Sequence, residues 1–279
     1  MLIRYGYRLG VRVSEGTPAL TRLDVHPDRR GDIVSEIPLR VSGIEADRPL
    51  IDIHGNQYRR LTLQPGESVF ELSGLVQDSG AFEAQLSNEA AWAIEDLPED
   101  CLVYLLASRY CETDRLGSSA WQLFGHLPNG AARVRAVVDY VHNHLTFGYR
   151  FARPTRTALE AHLERVGVCR DFAHLTIALC RSLNIPARYV NGYLGDIGVA
   201  KDPAPMDFSA WVEIFLGGQW FTLDARHNTP RIGRVVIARG RDAADVPMLH
   251  TFGPHFLTEF KVITEEVDAP YAVAQQIAA

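Results

Sequence analysis

The 279 residues exceed one average domain and fall short of three, which predicts one large domain or two of medium size. Hydrophobic residues make up 47% of the chain and charged residues 22%, and these proportions exclude an intrinsically disordered chain. The net charge of −6 lacks the basic excess of DNA- and RNA-binding proteins and therefore argues against nucleic acid as a partner.

The N-terminus and the cysteines bear on the compartment. Arg4, Arg8 and Arg12 interrupt the first apolar run, so a secretory signal peptide is not predicted. We find no stretch of about 18 apolar residues that would cross a membrane. The four cysteines are Cys101, Cys111, Cys169 and Cys180. Their wide spacing without a CxxC pair is untypical of disulfide frameworks and zinc sites. We therefore expect a cytoplasmic protein with reduced thiols, no cofactor and no metal.

Residues 1–85 alternate apolar and polar side chains in short runs separated by turn-forming residues. Clear examples are Leu2–Val13, Ile33–Val41 and Tyr58–Leu63. This pattern predicts an N-terminal β-sandwich-like domain. We find no cluster of catalytic residue types in it.

Helix-length patterns replace the strands further along the chain. We expect a connecting segment over 86–125 and a core domain over 126–279. In the core, apolar residues form one stripe over Ala132–Leu145, which predicts an amphipathic helix. A basic loop then leads to a short helix at Ala158–Arg165.

The segment Gly167–Tyr193 is the most informative stretch of the chain. Gly167 supplies a turn, Cys169 begins a helix, and apolar residues recur at helical spacing up to Leu183. Free backbone N–H groups at the helix start favour a thiolate, so we predict a Cys169 pKa below the usual value of about 8.5. The alternative is a buried structural cysteine, which we expect for Cys180 in the middle of the helix.

A predicted β-hairpin follows a strand at Ile185–Leu194 and a loop at Gly195–Asp207. Two glycines, Gly217-Gly218, connect the strands Phe208–Leu216 and Gln219–Ala225, and such a pair is a strong hairpin signal.

The hairpin turn predicts the register of its strands. With the glycines in the turn, Trp211 lies opposite Asp224, and Ser209 lies one diagonal step away on the same face. The alternate residues are apolar and are expected in the core. We therefore expect Asp224 to orient a group at position 209.

These motifs resemble those of bacterial proteins in the transglutaminase-like, papain-like cysteine enzyme superfamily. The sequence GVCRDFA at 167–173 is similar to the nucleophile motif, 188–193 to the strand that follows it, and Asp224 to the acidic residue. The similarity extends over 224–228 and 240–246, and the N-terminal strands resemble a β-domain that precedes the core in such proteins. The resemblance implies an α+β fold in which the helix with the cysteine packs on an antiparallel sheet.

The resemblance implies thiol-mediated acyl transfer or hydrolysis at an amide, but one residue departs from it. The family places histidine directly before Ala-Trp on the second core strand, and this chain has Ser209 there. A serine hydroxyl cannot take the thiol proton near neutral pH, and general acid–base catalysis is worth about 10²–10⁴ in rate. His227, oriented by Asp224, is the substitute base that we consider. A structural histidine is the alternative, since a bulge must bring His227 to the correct face.

Two functional hypotheses follow. The first is a cysteine protease, amidase or transglutaminase-like enzyme with a broken Cys-His-Asp triad. It forms a Cys169 thioester with a peptide or a glutamine side chain. The second is a degenerate relative that binds a peptide or a protein partner without turnover. We expect no nucleic acid and no membrane as partner, and a homo-oligomer is compatible with either hypothesis.

The predicted site residues fall into two groups. The catalytic group is Cys169, Asp224, Ser209 and His227. The substrate-binding group is Trp211, Tyr193 and Arg226. Arg226 belongs to a basic segment that also contains Arg231, Arg234, Arg239 and Arg241. These arginines either anchor a substrate carboxylate or form internal ion pairs with Asp242, Asp245 or Glu213.

Overall fold

A computed structural model describes residues 1–42, 44 and 48–268 and has a mixed α and β architecture. The predicted core domain continues to residue 279, so its last eleven residues, 269–279, lie outside the described part. The helices are α1 Glu99–Leu102, α2 Thr113–Phe124, α3 Ala131–His144, α4 Ala158–Glu164 and α5 Cys169–Ser182. The strands are β1 Leu2–Val13, β2 Thr17–Thr21, β3 Ile33–Val41, β4 Leu50–Ile51, β5 Gln57–Leu63, β6 Gly66–Gln77, β7 Thr146–Phe147, β8 Val166–Gly167, β9 Ala187–Tyr193, β10 Ser209–Leu216, β11 Gln219–Leu223, β12 Val235–Gly240, β13 Leu249–Thr251 and β14 Phe256–Val267.

The strands of the N-terminal third form two antiparallel sheets. Their strand orders are β14-β1-β6-β3 and β13-β2-β5-β4. Strand β14 comes from the far end of the described chain and pairs with β1 from Leu2 opposite Val267 to Arg12 opposite Phe256. These sheets therefore combine the first 77 residues with two strands from the C-terminal part.

A third antiparallel sheet, with the order β11-β10-β9-β12, carries helix α5. Helix α5 packs on β9 and β10, and helices α2, α3 and α4 cover its other sides. Every residue from Asp171 to Arg181 is consequently buried, whereas the sequence predicted one buried stripe. The arrangement confirms the predicted α+β fold, with the helix that bears Cys169 on an antiparallel sheet.

The hairpin between β10 and β11 has the predicted register. Leu216 pairs with Gln219 and Val212 with Leu223, and both turn glycines have positive φ angles, 55° at Gly217 and 85° at Gly218. The ladder ends at Leu223, so the next residue leaves the sheet.

The N-terminal sheets and the core share one apolar interior. The rings of Tyr5 and Tyr193 lie 5.3 Å apart across this boundary. A polar contact adds to it, because the buried Asn56 side chain bonds both backbone groups of Arg239 in β12, with N···O distances of 2.7 Å. Among the described residues, no helix has the length and apolar character that a membrane span requires.

Candidate active site

The turn before α5 holds Cys169 at the first position of the helix. A Cβ at Gly167 would lie only 2.6 Å from the Asp171 Cβ, so this turn requires glycine. Asp171 is buried, and its Oδ2 accepts the Val168 backbone N–H at 2.9 Å and the Arg156 guanidinium at 3.1 Å. These contacts fix the backbone from which the thiol projects, and Cys169 remains partly exposed.

The thiol of Cys169 is harder to ionise than the sequence predicted. Burial of the sulfur raises its pKa to about 11, although Arg226 and the Ala210 backbone N–H favour the thiolate. The predicted lowering of the pKa is therefore wrong, because desolvation outweighs the favourable charges at this helix terminus. The thiol is protonated at neutral pH, and its attack on a carbonyl needs a proton acceptor. Cys180 is fully buried in the core, as predicted.

Ser209 begins β10 directly before Ala210, whose N–H interacts with the thiol. It borders a cavity of about 80 Å³. We call this the Ser209 cavity, and its walls include Tyr149, Asp207, Ser209, Arg226 and His227. The structure thus brings Ser209, His227 and Arg226 to one cavity, and Cys169 does not line it.

Arg226 is the cation that favours the thiolate form of Cys169. Its guanidinium lies 3.8 Å from the centre of the Phe147 ring, and it interacts electrostatically with both Cys169 and Asp207. Its predicted contact with substrate stays a prediction, and its position at the cavity is compatible with that role.

The side chain of Asp224 pairs with an arginine and not with a group at position 209. Its Oδ2 accepts from Arg234 at 2.9 Å, and its Oδ1 accepts the backbone N–H groups of Arg226 at 2.9 Å and His227 at 3.4 Å. Burial opposes ionisation of this carboxyl, but these donors hold its pKa below the ordinary value. The predicted orientation of position 209 by Asp224 is therefore wrong, because the chain has left the strand at Leu223.

His227 borders the Ser209 cavity but has the wrong contacts for a base. Arg231 donates to its Nδ1 at 3.1 Å, and burial lowers its pKa to about 4. The ring is therefore neutral at pH 7 with its proton on Nε2, so the nitrogen left free is a donor and not an acceptor. Its backbone, and not its ring, bonds Asp224. The predicted base oriented by Asp224 is contradicted.

Two predicted substrate-binding residues are inaccessible. Trp211 is 1% exposed and packs with Val190 and Val236 in a small buried cluster. Tyr193 is fully buried, and its ring lies 5.3 Å from that of Phe208. Both predictions are wrong. Strand β12 contributes to the cluster that buries Trp211, and the N-terminal sheets cover Tyr193, and the core sequence alone indicates neither contact.

The other arginines of the basic segment form internal contacts. Arg239 bonds Glu213 at 2.9 Å, and Arg241 bonds Asp245 at 2.8 Å. These pairs agree with the internal alternative for those two residues. Within the described ranges, no group of three histidine, cysteine or acidic side chains is arranged to hold a metal.

Asp207 is the site residue that the sequence analysis missed. It lies two residues before β10, is partly exposed, and borders the Ser209 cavity. Burial raises the pKa of its carboxyl, although the Phe208 N–H and Arg226 oppose that change. Its sequence signal was an acidic residue directly before an apolar strand, which is common in surface loops. Only the fold places it at one cavity with Ser209 and Arg226.

Comparisons with known proteins agree with this architecture. Residues 120–225 match the family described as Transglutaminase-like superfamily. A solved structure from Cytophaga hutchinsonii, named as a candidate cysteine protease, is 29% identical with a TM-score of 0.83 and covers 96% of this chain and 91% of that one. This similarity therefore includes the N-terminal sheets as well as the core.

Two mycobacterial relatives match a smaller part. An uncharacterised protein of Mycobacterium leprae is 34% identical over 114 residues, which is 39% of this chain and 40% of that protein. An uncharacterised protein of Mycobacterium tuberculosis is 39% identical over 104 residues, which is 32% of each chain. The chain thus spans less than half the length of the curated relatives that it matches.

The family match covers the helix that begins at Cys169 and strands β9, β10 and β11, and the similar structure covers nearly the whole chain. They support a cysteine-hydrolase or transglutaminase-like role. Residues 120–225 thus match the transglutaminase-like superfamily, and nearly the whole chain is similar in fold to the structure from Cytophaga hutchinsonii.

Proposed function

We propose that the protein is a cysteine hydrolase or acyltransferase that acts on amide bonds, of a peptide or of a glutamine side chain, through a thioester on Cys169. The observation that carries this proposal is the placement of Cys169. As a residue it is partly exposed at the start of α5, although the protein around its sulfur raises the thiol pKa, while Cys101, Cys111 and Cys180 are buried. A nucleophilic role needs such access, and the other thiols lack it.

The surroundings of the sulfur support the charge changes of acyl transfer. The sulfur attacks the amide carbonyl carbon, and the backbone N–H groups at the start of α5 are suited to stabilise the oxyanion. Arg226 and the Ala210 N–H stabilise the thiolate that leaves when water or an amine attacks the thioester. These donors are part of the folded backbone or lie at the cavity, so little reorganisation is needed.

A second function is favoured by the pair between Asp224 and Arg234. Asp224 accepts from Arg234 at 2.9 Å and from the backbone N–H groups of Arg226 and His227, and none of these donors is an imidazole ring. A protein that keeps the cleft but binds a peptide or protein partner without turnover has no need of that imidazole. This alternative makes the opposite prediction for covalent chemistry at Cys169.

The experiment compares the intact protein with Cys169→Ser and Cys169→Ala variants on peptide amides and on glutamine-containing proteins with a fluorescent amine. Intact-mass spectrometry monitors the acyl-enzyme, and product formation measures turnover. A peptide-derived adduct on Cys169, and turnover that both substitutions abolish, support the proposal. Peptide binding that is equal in all three proteins, with no adduct and no turnover, refutes it and supports the binding protein. Ser209→His then tests whether an imidazole creates activity.

A further inference from the structure

A groove of about 610 Å³ lies between strand β14 and the loop that precedes β10. Consecutive residues of β14, from Val262 to Glu266, line this groove. Successive side chains of a strand point to opposite faces of its sheet, so a groove that borders all of these residues runs along the edge of the strand. We call it the β14 groove. The loop contributes Asp196, Ile197, Gly198, Lys201, Asp202 and Met206.

The edge of β14 at this groove has no strand partner within the described ranges. Strand β14 is the outermost strand of its sheet and pairs with β1 alone. Alternate residues of an outermost strand direct their N–H and C=O groups away from the sheet. No described backbone group of the loop bonds to them. Thr264 also lines the groove, is 1% exposed, and has a hydroxyl without a hydrogen-bond partner among the described residues.

The β14 groove is acidic. Five carboxyl groups and two cations border it, namely Asp196, Asp202, Glu265, Glu266 and Asp268 against Arg4 and Lys201. Arg4 already pairs with Glu265 at 2.6 Å. Glu266 and Asp268 are exposed and form no salt bridge with any described residue. The free negative charge of these two carboxylates therefore suits basic side chains.

The groove adjoins the Ser209 cavity. Asp196, Asp202 and Met206 border both of them. A ligand that lies along β14 therefore has one end beside the cavity that Ser209 and Arg226 line.

We propose that the β14 groove binds an extended peptide with basic side chains, which adds to the edge of β14 as a further strand. In this mode of recognition, backbone hydrogen bonds supply affinity and alternate side chains supply specificity. The inference rests on the proposed function, since it names the class of peptide on which that function would act.

Charge favours a basic peptide over two other occupants. A second copy of β14 would bring three glutamates and one lysine to an edge that is already acidic. The chain's own residues 269–279 contain no charged side chain, so they do not complement the groove either.

Binding is measured by fluorescence anisotropy with the intact chain carrying Cys169→Ala, so that turnover plays no part. The probe is a labelled peptide that alternates lysine and valine, and the matched peptide has glutamate in place of lysine. We expect the lysine peptide to bind, with an affinity that falls as salt rises, and the glutamate peptide not to bind.

Methylation of alternate backbone nitrogens in the lysine peptide tests the addition of a strand. Only one edge of an added strand bonds to β14, and successive residues alternate between the two edges. Methylation of one alternate set of nitrogens should therefore abolish binding, whereas methylation of the other set should leave it nearly unchanged.

A matched pair of double variants tests the charges. Glu266→Gln with Asp268→Asn should weaken binding of the lysine peptide by about twofold to fivefold per charge at low salt. Glu95→Gln with Asp96→Asn makes the same change in net charge at exposed positions outside the groove and should leave binding unchanged. Urea unfolding at the wild-type midpoint establishes that both proteins are folded.

The outcomes separate this inference from the proposed function. Equal binding of the lysine and glutamate peptides, equal losses in the two double variants, or equal tolerance of both methylation patterns overturns the inference. Failure of the lysine peptide to bind also overturns it, and sedimentation then shows whether a second copy covers the edge. In each case an acyl-enzyme on Cys169 with any peptide amide keeps the proposed function. Binding with the expected pattern in a chain whose wild type forms no acyl-enzyme supports the groove and refutes the turnover.

Discussion

The reactivity of Cys169 towards iodoacetamide tests the electrostatics of the site directly. With a pKa of about 11, about one thiol in 10⁴ is ionised at pH 7, against about one in 30 for an ordinary thiol at about 8.5. A more basic thiolate is also more nucleophilic, by roughly tenfold over this interval for a Brønsted coefficient of 0.4 to 0.5. We therefore expect Cys169 to react about 20 to 30 times more slowly than a free cysteine peptide at pH 7.

The assay measures alkylation of the Cys169 peptide by mass spectrometry from pH 6 to 10.5. The rate should rise about tenfold per pH unit up to about pH 10, because the thiolate fraction does so below the pKa. Arg226→Gln removes a cation that favours the thiolate and should slow alkylation further at every pH. Arg150→Gln, at an exposed position beside Phe151, is the control and should react like the wild type. A plateau below pH 9 in the wild type contradicts the reasoning.

Three further predictions concern stability and use urea unfolding. Arg234→Met leaves the buried carboxylate of Asp224 unpaired and should cost about 3–5 kcal/mol, whereas Arg12→Gln breaks an exposed pair and should cost less than about 1 kcal/mol. Gly192→Ala places a Cβ 2.2 Å from a backbone oxygen of β12 and should cost about 1–3 kcal/mol; an unchanged midpoint contradicts that packing. Asn56→Ala leaves buried backbone groups of β12 without partners and should also cost about 1–3 kcal/mol, and Asn56→Asp should not restore both bonds.

Local chemistry allowed the sequence to predict the hairpin and the start of α5. The pair Gly217-Gly218 sets the register of β10 and β11, since few other residues adopt two successive positive φ angles. Gly167 and Cys169 are separated by one residue, so a turn and a helix start were recognisable from neighbours alone. Such features need no knowledge of distant segments.

The electrostatics of the site depend on segments that are distant in sequence. Asp224 has its main partner in Arg234, ten residues later, and that pairing replaces the predicted contact with position 209. The Cys169 pKa depends on how much protein surrounds the sulfur, which a helix-terminus argument leaves out. The N-terminal sheets cover Tyr193, which was predicted to be accessible to substrate. No motif in the core indicates that these sheets pack there.

The pairing of β1 with β14 also sets the order of events during synthesis. Arg8 and Glu259, which bond across these strands, are 251 residues apart. At 5–20 residues per second, a ribosome needs about 12 to 50 s to make the intervening chain. One edge of β1 remains unpaired for that period. Until β14 is synthesised, chaperones and other nascent chains can bind this exposed strand edge.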